Sequence, residues 1–193
     1  MVFFTSDPHY YHINVIKYCS RPFDTVEEMN EMLVKYWNET VGPDDTVYCL
    51  GDFSMAFRPV EIFSPRLNGK KYLVPGNHDF CHSYHKRSRT KDGRDTWKQK
   101  YVDNGWIVLP EQTTLDIPGV ATVNMCHHPY IVLDNHPDKY EKWRPKDDGR
   151  WLLCGHVHEK WRVVNKMINV GVDQWNFRPV SMDQIIKIIN EAE

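Results

Sequence analysis

The sequence predicts an α/β fold, and three observations carry that expectation. Short apolar runs that suit buried strands alternate with segments of helical periodicity. Five of those runs end in a cluster of His, Asp or Asn, and strand ends are where an open α/β sheet presents its ligands. The chain has 193 residues, 41% hydrophobic and 13% aromatic, enough to bury a substantial core and too apolar for disorder. We expect a single domain over 1–193, because no repeat, low-complexity tract or linker interrupts the pattern.

In chain order, residues 1–6 read as the first buried strand and 13–19 as a short helix. Thr25-Val26-Glu27-Glu28 has capping-box spacing. It opens a helix whose apolar positions Met29, Met32, Leu33, Tyr36 and Trp37 recur at 3.6-like intervals. Pro43-Asp44-Asp45 makes a turn. Residues 46–50 form the second strand, 60–67 a short helix, Asn68-Gly69 a turn and 71–74 the third strand. Residues 82–100 are polar and basic, with seven Lys or Arg between Lys86 and Lys100. Strands follow at 106–109, 113–117 and 120–125, with Pro118-Gly119 as a hairpin turn. Residues 134–150 read as a long polar loop, a length that is usually functional. Residues 151–154, 162–164 and 167–170 are further strands. Ser181-Met182-Asp183-Gln184 is a second capping box, opening a helix with Ile185, Ile186, Ile188 and Ile189 on a wide apolar face.

Charge and cysteine content narrow the setting. The net charge of −2 supplies no global field for duplex nucleic acid or a membrane, so any anion preference must be local. Five cysteines without CxxC spacing read as reduced thiols, and Cys49, Cys126 and Cys154 fall in apolar runs where Cys acts as a small hydrophobe. No apolar run reaches the ~20 residues of a membrane span, and the N-terminus lacks a basic leader. The expected location is cytoplasmic.

The five polar clusters are Asp7-Pro8-His9, Gly51-Asp52, Gly76-Asn77-His78-Asp79, Cys126-His127-His128-Pro129 and Gly155-His156-Val157-His158. Imidazole with carboxylate suits Mn, Fe, Zn or Ni. Asp7 and His9 stand two apart, so on a strand they point the same way; His156 and His158 repeat that spacing. Asp52 can bridge two ions, Asn77 offers a carbonyl oxygen, and one of His127 and His128 reads as a ligand with the other its neighbour. Two divalent ions against Asp7 and Asp52 leave a net charge of about +2, which attracts a phosphate without a basic surface. Such a pair, ~3.5–4 Å apart, lowers the pKa of a bridging water toward ~7. His82, His85 and His136 sit in polar loops and are expected in solvent.

These clusters, in this order, resemble the calcineurin-like metallophosphoesterase superfamily: D-x-H, GD, GNH[DE], a His before x-P, and GHxH. The wording is similar to a small bacterial and phage branch, through the run 7–12, Arg21-Pro22-Phe23, Leu50-Gly51-Asp52-Phe53, and residues 169–173 followed by Trp175, Arg178 and Pro179. The resemblance implies a four-layer αββα sandwich with a dinuclear metal site at the strand ends. It implies Asp7, His9 and His158 on one ion, Asn77, His127 and His156 on the other, and Asp52 bridging. His127 is chosen over His128 because the family's ligand stands two before the Pro. The resemblance further implies that His78 contacts substrate and protonates the leaving oxygen, with Asp79 orienting His78. The two ions would be divalent, manganese first, with Fe, Ni or Zn as alternatives.

The activity expected is hydrolysis of a phosphodiester, a cyclic nucleotide or small nucleotide, with monoesters as further substrates. Two rival readings share the core: a nuclease for single strands, and a metal-binding scaffold for a protein partner. His12 and Arg21 have no evident structural need at their positions, so both are expected on the non-bridging phosphate oxygens, with Asn77 touching substrate as well. The alternative for His12 is a helix cap. Trp143 and Arg144 could stack on a base, and the basic stretch 86–100 could line the entrance or form a solvated helix face.

Overall fold

The computed structural model describes residues 1–131, 133 and 139–192. Part of the 134–150 loop, His136 included, lies outside the described residues. Two five-stranded sheets face each other. The first has the order β10-β1-β2-β3-β4, where β1 (Val2–Thr5), β2 (Thr46–Cys49), β3 (Lys70–Leu73) and β4 (Trp106–Val108) run parallel and β10 (Val180–Ser181) antiparallel. The second has the order β5-β6-β7-β9-β8. Its β6 (Ala121–Cys126), β7 (Leu152–Cys154) and β9 (Met167–Asn169) are parallel, between antiparallel edges β5 (Gln112–Ile117) and β8 (Val163–Val164).

The period-2 alternation of β1 and β2 builds two cores at once. Phe3, Val47, Cys49 and Leu73 point to the helical side, where α1 (Ile13–Tyr18), α2 (Val26–Thr40), α3 (Arg58–Phe63) and α4 (Lys91–Asp103) lie. From α2, Met29, Leu33 and Trp37 are buried there, each contributing about 1.5–3 kcal/mol. Phe4, Leu50 and Val74 point the other way and meet Val123, Met125, Leu153 and Ile168 between the sheets. In register across that face, Phe4, Tyr48 and Tyr72 stack at 5.7 and 4.9 Å. The last helix, α5 (Met182–Ala192), buries Ile185 and Ile189 in the same inter-sheet core. The fourth layer is thin: Cys126, Leu152, Cys154 and Met167 on the outer face of the second sheet are covered by Tyr130, Trp161 and Val164.

Both capping boxes form. Thr25 accepts from the Glu28 N–H at 3.1 Å, while the Glu28 carboxylate reaches back one residue further, to the Asp24 N–H; at the second, Ser181 accepts from the Gln184 N–H and its own N–H donates to Gln184 Oε1. Thr90 caps α4 on the Gly93 N–H, so the basic stretch is helical from residue 91. All five cysteines are buried and free. Among the described residues, no helix is long and apolar enough to cross a membrane. Because β1, β2 and β3 are parallel, their C-terminal ends meet at one edge, and β6 and β7 deliver theirs beside them.

Candidate metal centre

The chain leaves β1 through strained backbone. Asp7 has φ 56° and His9 φ 52°, both left-handed, where a non-glycine residue costs about 1–3 kcal/mol. They therefore do not share a strand face as the two-residue spacing suggests; two left-handed steps turn them toward one point. His156 (φ 71°) and His158 (φ 48°) reach the same end by the same device. The surroundings hold this strain in place. Asp7 N–H donates to Gly51 O at 3.1 Å and Tyr10 N–H to Phe53 O at 3.0 Å. Gly51 at φ 89° presses so close to Gly76 that a Cβ there would strike the Gly76 backbone, and a Cβ on Gly76 would strike the Asp52 carboxylate.

Arg21 grips the same turn from behind, which corrects its expected role. Its Nε and Nη2 form a fork on Asp173 at 2.8 Å each, while Nη2 also donates to Asp7 O at 2.8 Å and Nη1 to Pro8 O at 2.9 Å and the Met29 sulfur. Every donor is used inside the protein and the side chain has no exposed surface, so Arg21 has nothing left for a phosphate. Phe23 meets Phe177 edge-on at 5.0 Å beside it. The Arg-Pro-Phe run and the 169–178 run thus clasp each other around the first ligand turn.

Two separate groups of side chains could each hold an ion: Asp7, His9 and His158, and His127, His128 and His156; a third group, Asp7, Asp52 and His127, shares one residue with each and joins them. His9 Nε2 lies 3.2 Å from His158 Nε2, 3.7 Å from Asp7 Oδ1 and 3.9 Å from Asp52 Oδ2. His158 Nε2 is 3.4 Å from Asp7 Oδ1. On the other side of Asp52, His127 Nε2 stands 3.3 Å from Oδ2. Its Nδ1 lies 2.7 Å from Leu50 O, a hydrogen bond that puts the ring proton there and turns the Nε2 lone pair inward. Donors ~2.0–2.2 Å from one ion are separated by roughly 3–3.5 Å; the 3.2, 3.3 and 3.4 Å spacings match this, and the two carboxylate oxygens facing His9 stand slightly wider. His128 stays within the second group, 3.2 Å from Asn77 Oδ1.

Orphaned atoms test the fit. Asp7 Oδ1, His127 Nε2, His9 Nδ1, Asn77 Nδ2 and His128 Nδ1 are buried without a hydrogen-bond partner, a cost of ~1–3 kcal/mol each that a coordinated cation removes for the lone-pair atoms. The field points the same way. Burial works against charge at His127 and His158, yet the Asp52 carboxylate raises His127 to about 9, and the nearby Asp7 carboxylate with Cys19 raises His158 to about 11. Burial opposes ionisation of Asp7 and Asp52 too, but His158 and His127 hold both well below the usual carboxylate range. By burial and neighbouring imidazoles, His156 falls to about 3 and His128 lower still. His127 and His158 thus keep protons against Asp52 and Asp7 while His156 and His128 stay neutral; a cation bound there takes the place of those protons on the same donor atoms.

The remaining site residues divide. His78 is 37% exposed, with Nε2 3.9 Å from Asp52 Oδ2 and its backbone N–H on Asp52 Oδ1 at 2.8 Å. Asp79 does not hold the His78 ring. Its carboxylate accepts from the Asp52, Phe53 and Gly76 N–H groups and the Tyr101 hydroxyl. It ties the second ligand loop to the third, a correction to its expected orienting role. Burial and the nearby Asp52 push it up to about 7. His12 stands at the start of α1 without a side-chain cap bond, which removes the capping alternative. Its half-buried ring lies 5.4 Å from that of His9. His82 is buried rather than solvated, between Glu111 at 3.5 Å and the His128 and Trp143 rings. His85 stacks on Phe80 at 4.4 Å. Trp143 donates to Ser83 Oγ and Arg144 to Pro129 O, both pinning their segment.

Several contributors escaped sequence reasoning. Cys19 Sγ lies 2.9 Å from His158 Nδ1, and a lone Cys at the C-terminal end of α1 gave no signal. Asn169 donates to His158 O and Trp161 O while accepting from Gly171 N–H, fixing the loop that carries His158. Asp173 is the partner of Arg21. Asn169 and Asp173 lie in the 169–178 run, whose polar residues between strand-like positions were the available signal.

Comparison with known proteins agrees with this geometry. Residues 1–160 match the family model described as calcineurin-like phosphoesterase. The Gene 66 protein of Mycobacterium phage L5 is 32% identical, over 97% of this chain and 93% of its own. The Uncharacterized protein MJ1445 of Methanocaldococcus jannaschii is also 32% identical, over 100% and 93%. A crystal structure of the protein of unknown function AQ665 from Aquifex aeolicus superposes with a TM-score of 0.69 over 98% of this chain and 99% of that one, at 23% identity, a likeness of fold. With the family match running from β1 through β7 and taking in all five ligand clusters, the chain belongs to the calcineurin-like phosphoesterases, a family of metal-dependent phosphoester hydrolases.

Proposed function

We propose that this chain hydrolyses a phosphodiester of nucleotide type, as a single domain, with two divalent ions. Asp7, His9 and His158 would hold one ion, Asn77, His127 and His156 the other, and Asp52 would bridge. The observation that carries the reading is the convergence of unpartnered Asp7 Oδ1 and His127 Nε2 on either side of Asp52. Manganese suits the oxygen-and-imidazole donor set, with Fe, Ni or Zn accepted by the same groups. When bound, the ions supply a water-derived nucleophile near neutral pH and offset charge on the phosphoryl oxygens. His78, partly exposed with Nε2 3.9 Å from Asp52 Oδ2, gives a proton to the leaving oxygen in this reading. His12 lies beside His9 and binds a non-bridging oxygen, with Asn77 touching the phosphate from the other side. A recess of about 280 Å³ beside His156, walled by Pro129, Ile131, Arg144 and Trp161, offers an apolar seat for a base.

The test is a screen of phosphodiesters and phosphomonoesters on EDTA-stripped protein, with Mn, Ni, Mg and Zn restored one at a time. Hydrolysis should need an added ion and favour diesters. Turnover in EDTA, or none with any ion, would overturn the reading.

A further inference from the structure

A second recess, of about 440 Å³, lies beside the metal centre and is lined by Ser83, Tyr84, Arg89, Arg94, Lys142 and Trp143. Its cations come from two separate parts of the chain. Arg89 and Arg94 flank the N-cap of α4, and Lys142 stands on the single 3-10 turn Glu141–Trp143. In a chain of net charge −2, three cations on one concavity are a local field, not a reflection of composition. Among the described residues, none of the three is ion-paired with a carboxylate, and Asp92 and Asp95 on the same helix do not line the recess. The nearby Glu111 is occupied by the Ser83 N–H and hydroxyl.

A chain of packed aromatic rings links the wall of the recess to the centre. The His156 ring meets Tyr140 at 4.9 Å, Tyr140 meets Tyr84 at 5.1 Å, and Tyr84 meets Trp143 at 4.9 Å. Trp143 is held by its bond to Ser83 Oγ at 2.8 Å, so its ring is a fixed wall. A cationic groove beside ordered aromatic rings is the combination that captures single-stranded nucleic acid without sequence preference. The two phosphates of a diphosphate share an oxygen and cannot span three ring contacts; successive phosphates of a strand can.

Resting on the phosphodiesterase reading above, we propose that this recess binds the phosphates of a single-stranded nucleic acid that extends, a few nucleotides on, from the diester at the metal centre.

The experiment measures two quantities on the same proteins. Binding of fluorescein-labelled oligothymidylate is followed by anisotropy in EDTA over a salt series. Hydrolysis of that strand and of bis(p-nitrophenyl) phosphate is followed with manganese. Each lost phosphate contact should reduce the slope of log K against log salt by about 0.7. The variant Arg89→Ala/Arg94→Ala/Lys142→Ala should therefore lower it by ~2 and weaken strand binding about tenfold or more. Its kcat/KM for the small ester should stay within about twofold, since none of the three contacts the ligand residues. Arg89→Lys/Arg94→Lys should keep the wild-type slope, and Lys35→Ala/Lys187→Ala, remote cations on α2 and α5, should leave it unchanged. An unchanged slope in the triple variant, an equal loss in the remote control, or a parallel loss on the small ester would overturn the proposal. So would equal, recess-dependent binding of a phosphoserine-rich peptide. Recess-dependent strand binding without hydrolysis of any ester would support the recess and sink the enzyme reading. Ester hydrolysis with strand affinity indifferent to the recess would do the reverse.

Discussion

Replacing Arg21 should unfold the protein more readily rather than weaken substrate capture. Arg21→Met removes the guanidinium from a fully buried pair with Asp173 and from the carbonyls of Asp7 and Pro8. Leaving a buried carboxylate without its partner costs about 3–5 kcal/mol. At ~2–4 °C per kcal/mol for a chain of this size, the melting temperature should fall by roughly 6–20 °C. Arg21→Lys keeps the charge but cannot reproduce the fork on both Asp173 oxygens while also reaching two carbonyls. Losing one or two charge-assisted bonds at ~1.5–3 kcal/mol each predicts a fall of at least ~3 °C by the same scale. Arg21→Met/Asp173→Leu should recover part of the loss, because an apolar pair tolerates burial; the two stranded carbonyls keep the recovery partial. Calorimetry on metal-loaded protein, set beside KM for the preferred diester, reads both effects. If Arg21→Lys melts within 1 °C of wild type and raises KM several-fold, the clasp is not structural and the phosphate-gripping role returns.

Further expectations follow from the same site. His78→Ala should lower kcat by ~10²–10⁴ for a diester with a poor leaving group and leave metal content unchanged; an equal loss with a nitrophenolate leaving group would remove the proton-donor role. Elemental analysis of Asp52→Asn should find both ions disturbed, and two ions held at wild-type affinity would remove its bridging role. Cys19→Ala frees His158 Nδ1 and should weaken one of two ions by ~10–100-fold in calorimetric titration. Cys19→Ser should restore most of that affinity, and identical titrations of wild type and Cys19→Ala would show the sulfur to be a bystander. Burial lowers His82 from 6.5 to about 4, a difference of ~3 kcal/mol. Its folded pKa lies below the unfolded value, so the unfolded chain protonates first. In EDTA the stability His82 leaves intact above pH 6.5 should be lost as pH falls toward 4. Asn at position 82 keeps an acceptor for the Tyr84 N–H and should flatten that part of the profile; parallel wild-type and His82→Asn melting curves across the range would refute the assignment.

Much of this molecule was legible in the chain because its signals are local. Strands ending at Asp7, Asp52, Asn77 and His156 are short apolar runs closed by polar residues, and both capping boxes are four-residue patterns that form wherever a helix starts. The ligand set was legible for a related reason: metal donors must be His, Asp or Asn whatever the fold, so the five clusters announce themselves by residue type. What lay beyond the sequence depends on partners distant along the chain. Arg21 looked free until Asp173 arrived beside it, and Asp79 looked like a neighbour of His78 until the Asp52 and Gly76 backbones claimed its oxygens. The spacing of Asp7 and His9 suggested one strand face, yet left-handed backbone, held by Gly51, Phe53 and Arg21, brings them together instead. A sequence shows which groups can bond. Which acceptor each donor reaches, and which strained turn the surroundings can hold, is settled by packing among segments that lie as far as 152 residues apart, because a buried polar group must take whatever partner the fold leaves within reach.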